Sequence, residues 1–318
     1  MKDVHISKRH AYAEGSYSNL HTQFRSYLLF CVYFRRNPLP ADLDTMCAYA
    51  QFLSRSMQPA TITNHLSGVR TLHSFVGCRY NFSEDFHLKL VMRGISRINP
   101  HVPHRAKPIT PSILLQFYRC MDHDNSLHRT VWACCLTLFF TLARLGSILP
   151  ASTKSRDFQR FLTRDRINFC AEGLVVTLLH TKTIQFGTRR LHIPLLKLNS
   201  TLCPVLAYRN ALHMIRASEF LPAFVFQDKG KTRWLTKDLF ISTFRTVASK
   251  FMEADVSSCT GHSFRRGGAS WAFQSGVPGE LIQVMGDWAS NAYKQYLEFT
   301  LQNKVQLAAL FTFKLPHD

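Results

Sequence analysis

The string from Thr260 to Gly268, Thr-Gly-His-Ser-Phe-Arg-Arg-Gly-Gly, concentrates side chains that could do chemistry. His262 and Arg265 stand three residues apart, so on a helix they share a face. Such a pair can bracket one phosphate. The guanidinium offers a planar fork of donors, and the imidazole adds a hydrogen bond or shuttles a proton. Alone, an HxxR pair also occurs by chance on a solvated helix, so its meaning depends on the residues downstream of it. After Val277-Pro278 comes an apolar stripe of Leu281, Ile282 and Met285, and then Gly286-Asp287-Trp288-Ala289-Ser290-Asn291-Ala292-Tyr293-Lys294-Gln295-Tyr296-Leu297. This stretch supplies a donor-only indole in Trp288 and two phenols, Tyr293 and Tyr296.

At these residues the sequence resembles the tyrosine recombinase (phage-integrase-type) family, whose pattern is an HxxR helix, then G-x-[HW], then a tyrosine about one helical stretch on. The resemblance implies further members. An arginine belongs in the first helical part of the catalytic domain after a buried helix, and the run from Thr141 to Pro150 supplies Arg144. A lysine belongs on a β-turn of an inserted sheet, and His180-Thr181-Lys182-Thr183 supplies Lys182. Arg144, Lys182, His262, Arg265, Trp288 and Tyr296 stand in the family's order. The wording KTIQFG, LHIPL, HSFRRGGAS and GDWAS is most similar to recombinases of eukaryotic mobile elements of the DIRS and Crypton kind.

The resemblance implies a cofactor-independent enzyme that breaks and rejoins DNA through a 3′-phosphotyrosyl intermediate. Arg144 and Arg265 would clamp the phosphate, His262 and Trp288 would each donate a hydrogen bond, Lys182 would protonate the leaving 5′ oxygen, and Tyr296 would be the nucleophile. His262 is the expected acceptor of the phenol proton. Each residue also has an ordinary structural reading: Arg144 as a charge at a helix end, Lys182 as a turn lysine, Trp288 as a core anchor, Tyr296 as packing with Tyr293 as its equal. Two departures stand out. Where many members carry an acid three residues after the first arginine, this chain has Ser147, and Trp288 to Tyr296 is about one residue shorter than in many bacterial members. Tyr293 lies too close to Trp288 to match the pattern.

These residues need a scaffold, and apolar periodicity outlines one. Leu20, Phe24, Tyr27, Leu28 and Cys31 mark one helix face. A second helix starts near Leu43, with Met46, Tyr49, Ala50 and Leu53 on one side. A third starts at Pro59 with Ile62, Leu66, Val69 and Leu72 in step, and a fourth runs from Ser83 to about Arg97. The expected fold is mainly α with a small antiparallel β-sheet. It comprises a disordered N-terminus (1–17), an all-α core-binding domain that contacts DNA (18–98), a basic, proline-rich linker (99–109) and an α+β catalytic domain (110–318). Strands are expected at 166–170, 174–180 and 189–194, with helices resuming from 202 and a final helix over 292–310.

The 318 residues carry 39 Lys+Arg against 20 Asp+Glu, a net charge of +19. Basic residues spread along the whole chain fit a long polyanion rather than a membrane surface, which would favour one clustered amphipathic helix. The expected partner is double-stranded DNA, with Arg105, Lys107, Arg189, Arg190 and Arg266 as phosphate contacts. The apolar tail with Val305, Leu307, Leu310 and Phe311 is expected to dock on a neighbouring copy in a DNA-bound tetramer. Nine scattered cysteines without a CxxC pair, and a polar N-terminal stretch, point to reduced thiols and an intracellular location. The family resemblance makes that location the nucleus. The longest apolar run, from Val131 to Leu142, is too short to span a bilayer. Neither a metal nor a cofactor is expected. Alternatives from other classes are a type IB topoisomerase-like enzyme that relaxes strands, a domesticated DNA-binding protein without catalysis, and a basic RNA-binding protein.

Overall fold

Short capping motifs start most helices of the first unit. Asp42 accepts from the Thr45 N–H at 2.6 Å to open one helix, Pro59 occupies the first turn of the next, and Asp85 caps a third through the His87 and Leu88 N–H groups. The computed structural model describes residues 3, 6–7, 10–80, 82, 85–100, 106–185, 187–213, 215, 217–252, 256–297, 301, 304–305 and 308–309. The chain divides into two units, Met1–His104 and Arg105–Asp318.

The first unit packs four helices: α1 (Glu14–Tyr33), α2 (Leu43–Leu53), α3 (Pro59–Val76) and α4 (Phe86–Ile98). Its core includes Tyr27, Met46, Tyr49, Leu53, Ile62 and Val69. The Tyr49 hydroxyl donates within this core to Ser26 Oγ at 2.9 Å and lies 3.1 Å from His65 Nδ1. Residues 14–17, expected to be disordered, form the first turn of α1, with Ser16 and Tyr17 N–H groups on the Ala13 carbonyl. That turn, Glu14-Gly15-Ser16-Tyr17, has no aliphatic residue, so apolar periodicity could not mark it. On α1 the buried face uses Phe30, while Leu28 is exposed. The expected start of the fourth helix at Ser83 lies outside the described residues.

The second unit is built around α6 (Ser126–Thr141), whose residues from Thr130 to Phe139 are all buried. Around it lie α5 (Pro111–Cys120), the short α7 (Leu145–Ile148), α8 (Pro204–His213), α9 (Lys237–Ala248), α10 (Gly261–Gln274) and α11 (Gly279–Met285). A three-stranded antiparallel sheet, β1 (Ile167–Phe169), β2 (Gly173–Leu178) and β3 (Leu191–Leu196), pairs Val176 with both Ile167 and Ile193. The three strands match the three expected, with ends shifted by up to two residues.

A second hairpin, β4 (Val225–Asp228) and β5 (Lys231–Trp234), falls where sequence reading assigned a helical period. Its two-residue turn, Lys229-Gly230, has φ of 48° and 75°, the left-handed pair that matches strand twist. Lys-Gly is a weaker turn signal than Asn-Gly, which is why the hairpin was missed. Residues 106–109, expected as linker, are docked on α10: Ile109 is fully buried and its N–H donates to the Ser263 carbonyl at 3.0 Å. Within the expected final helix, Asn291–Tyr296 is a 3₁₀ turn. Of the tail, Leu310, Phe311 and Leu307 lie outside the described residues. Among the described residues no helix is long and apolar enough to cross a membrane.

Candidate active site

The first turn of α10 sets two of the candidate residues. Thr260 Oγ1 accepts from the His262 N–H at 3.2 Å, and Ser263 Oγ accepts from the Thr260 N–H at 2.9 Å, a reciprocal cap that fixes where the helix begins. Between His262 and Arg265, Phe264 is buried against Phe240 and Phe244 of α9 and anchors the turn. Close approach by glycine then brings neighbours in. A Cβ on Gly261 would meet the Leu145 side chain at 2.7 Å, so Gly261 lets α10 start against α7, whose N-cap is Arg144. A Cβ on Gly267 would run into the Ile109 carbonyl, and one on Gly268 into that of Phe139.

Arg265 is 2% exposed. Its Nη1 donates to the Leu142 carbonyl and its Nη2 to the Gly286 carbonyl at 2.7 Å, while the guanidinium lies 3.7 Å from the centre of the Trp288 ring. Trp288 is mostly buried and serves as the platform for Arg265 through a cation–π stack. The Trp288 ring also lies 5.6 Å from that of Tyr296. Tyr296 is half-buried, its carbonyl accepting from Ser270 Oγ at 2.6 Å. Tyr293, 4% exposed, packs its hydroxyl against Gly279. Two non-glycine residues with left-handed backbone frame the site: Leu142 (φ 54°) and Asp287 (φ 55°).

Electrostatics tie the set together. Burial lowers the Arg265 pKa to about 9 and Arg144 adds to the effect, while Tyr296 and Asp287 pull the other way. Partial desolvation, then the charges of Arg265, Arg144 and Lys182, lower the His262 pKa, although the residue as a whole is exposed. Lys182 is itself exposed, in the connection between β2 and β3. The structure therefore brings all six candidates into one neighbourhood. A cluster of cations that outnumbers its acidic neighbour Asp287 suits an anion, since fixed donors cost no reorganisation when charge develops. Among the described residues no group of His, Cys, Asp or Glu is arranged to hold a metal ion.

The expected DNA contacts fare differently. Arg266 is buried and donates to the Ala106 carbonyl at 3.3 Å, so it fastens residues 106–109 to α10 instead of offering an exposed cation. Arg189 ion-pairs with Asp287. Arg190 is exposed, Lys107 is half-buried, and Arg105 lies outside the described residues. Sequence reading missed Asp287, whose carboxylate accepts from Thr181 and Thr183 on either side of Lys182. It also missed a groove of about 700 Å³ on the first unit, between α3 and α4, edged by Arg70, Lys89, Arg93 and Arg97. Those cations alternate with apolar residues on their helices and read singly as solvated charges.

By sequence the chain matches no family model and no curated protein. By structure it is similar to a transposon Tn1549 integrase in complex with circular intermediate DNA, at TM-score 0.61 and 14% identity over 97% of each chain. It is also similar to a lambda integrase dimer bound to a COC' core site (TM-score 0.59, 12% identity, 92% of each chain). The site-specific recombinase XerH bound to difH matches at TM-score 0.52 and 13% identity, over 86% of this chain and 71% of that one. The mainly helical architecture with small antiparallel sheets is the tyrosine recombinase fold, and this chain has it.

Proposed function

We propose that the chain is a DNA strand transferase: a site-specific recombinase or integrase that acts through a covalent phosphotyrosine. The observation that carries this reading is the grouping of Arg144, Lys182 and Arg265 about His262, with Arg265 stacked on Trp288 and the Tyr296 ring 5.6 Å from the same indole. Several solved proteins of this fold are DNA complexes of integrases and site-specific recombinases. In the first step Tyr296 Oη bonds to a backbone phosphorus as the bond to the 5′ oxygen breaks. His262, neutral at pH 7 because its pKa is lowered, takes the phenol proton. Lys182 gives a proton to the departing 5′ oxygen. The two arginines hold the phosphoryl oxygens, where charge accumulates. The phosphotyrosyl bond conserves the energy of the phosphodiester, so a second 5′ hydroxyl can reverse the step.

The same reading places double-stranded DNA along the basic groove of the first unit, with four copies assembled on it. The resemblance of the residue wording to DIRS and Crypton recombinases supports a mobile-element enzyme that integrates or excises DNA in a nucleus. Strand exchange tests the reading. The purified chain is incubated with two differently labelled duplexes from the flanks of its own gene, beside a supercoiled plasmid. Chimeric products are expected. Relaxation of the plasmid without chimeras would make it a topoisomerase-like enzyme, and binding with neither activity would make it a non-catalytic DNA-binding protein.

A further inference from the structure

The connection 179–190 carries Lys182, yet its described residues form neither helix nor strand. What holds it is one carboxylate from across the site. Thr181 and Thr183, the two neighbours of Lys182, donate their hydroxyls to Asp287 Oδ2. Arg189, near the other end of the same connection, pairs with Asp287 Oδ1. Thr181 Oγ1 also accepts the N–H groups of Thr183 and Ile184 at 3.2 and 3.1 Å, and Ile184 is fully buried, so the turn closes around Lys182. Asp287 is 4% exposed, takes a left-handed backbone and directly precedes Trp288, the platform under Arg265.

We propose that Asp287 is the positioning residue for Lys182: by binding Thr181, Thr183 and Arg189 with a single carboxylate, it fixes the lysine within reach of the His262–Arg265 side of the site. The inference rests on the recombinase reading for what Lys182 does. Burial by itself would raise the Asp287 pKa, but the Thr181 and Thr183 hydroxyls and the Arg189 guanidinium more than offset it, so the group stays ionised and keeps both oxygens as acceptors. A carboxylate that only filled space would not need donors from both flanks of the same lysine. The arrangement couples the Lys182 turn to the Trp288–Tyr296 segment, across more than a hundred residues of sequence.

The test exploits the proton that Lys182 delivers. When Tyr296 Oη bonds to phosphorus, the 5′ oxygen leaves as an alcohol only if it is protonated. With sulfur at that bridging position, the leaving thiolate is stable without a proton, and a general acid becomes unnecessary. Single-turnover cleavage is measured for the full chain, Asp287→Asn and Lys182→Ala, on nicked DNA with a 5′-bridging oxygen or sulfur. Asp287→Asn is expected to slow the oxygen substrate by about 10²-fold at unchanged DNA affinity, and both variants are expected to recover near wild-type rates on the sulfur substrate. Equal losses on both substrates, or no loss on either, would overturn the proposal.

Hydrogen exchange supplies a readout independent of activity. The Thr183 and Ile184 amides are expected to exchange at least about tenfold faster in Asp287→Asn at an unchanged melting temperature. Unchanged exchange overturns the proposal. Should Asp287→Asn fail to fold, Thr183→Val removes the Thr183–Asp287 bond while keeping Thr181 Oγ1 as acceptor of both amides, and it is held to the same outcomes. A wild-type chain that cuts neither substrate defeats the recombinase reading, and exchange then decides whether Asp287 holds the turn.

Discussion

His262 sits among three cations, Arg265, Arg144 and Lys182, and its pKa falls below the ordinary 6.5. A histidine with a lowered folded pKa resists protonation that the unfolded chain accepts. Its stabilising contribution is therefore present above pH 6.5 and is lost as pH falls through 6.5 toward the folded value. The proposed base function would track the same limb. Cleavage rates measured from about pH 5 to 8 are expected to rise with a midpoint below 6.5, and His262→Gln is expected to lose that limb with about 10²-fold in rate. A midpoint at or above 6.5 contradicts the assignment. Arg265→Lys is expected to cut cleavage by about 10²- to 10³-fold, because one ammonium cannot reproduce a fork held by the Leu142 and Gly286 carbonyls. Single-turnover rates check this. At this scale the sequence offers candidates by type and order, but not their partners. The stack of Arg265 on Trp288 and the grip of Asp287 on the Lys182 turn join segments far apart in sequence, and no local spacing encodes such contacts.

Helices in this chain are legible where a start signal and an apolar stripe coincide, as with the Asp42 cap of α2 and Pro59 in the first turn of α3. They are not legible where a turn is polar, as at the start of α1, or where a short hairpin hides among basic residues, as in β4–β5. The Gly267-Gly268 pair illustrates the middle case. Its letters stood in the motif, but their purpose, letting residues 106–109 and α6 touch the α10 backbone, needed the tertiary structure. Gly267→Ala is expected to destabilise the protein by about 1–3 kcal/mol, since backbone and not a flexible side chain must yield. Thr260→Ala, which deletes the cap at the start of α10, is expected to cost about 1 kcal/mol. Chemical denaturation of both variants measures these losses. If Gly267→Ala matches wild type, the docking of residues 106–109 on α10 is wrong.

Over the whole chain, the net charge of +19 would make the proposed DNA binding a counterion-release process. Affinity measured against salt is expected to fall with a log–log slope of about −5 to −9, as for some six to ten phosphate contacts. Replacing Arg70, Arg93 and Arg97 of the α3–α4 groove by alanine is expected to flatten that slope by about 3 and to weaken binding evenly across sequences. An unchanged slope would remove that groove from the DNA interface. The most direct test of the central claim is to trap the covalent intermediate on nicked DNA and locate the linkage by mass spectrometry after trypsin digestion. Cleavage after Lys294 and Lys304 leaves Tyr296 as the one tyrosine in its peptide, with Tyr293 in the preceding one. A denaturation-resistant adduct on the 295–304 peptide is expected, lost in Tyr296→Phe and Arg265→Ala and retained in Tyr293→Phe. An adduct on the preceding peptide, or no adduct on DNA that the protein binds, would contradict the account.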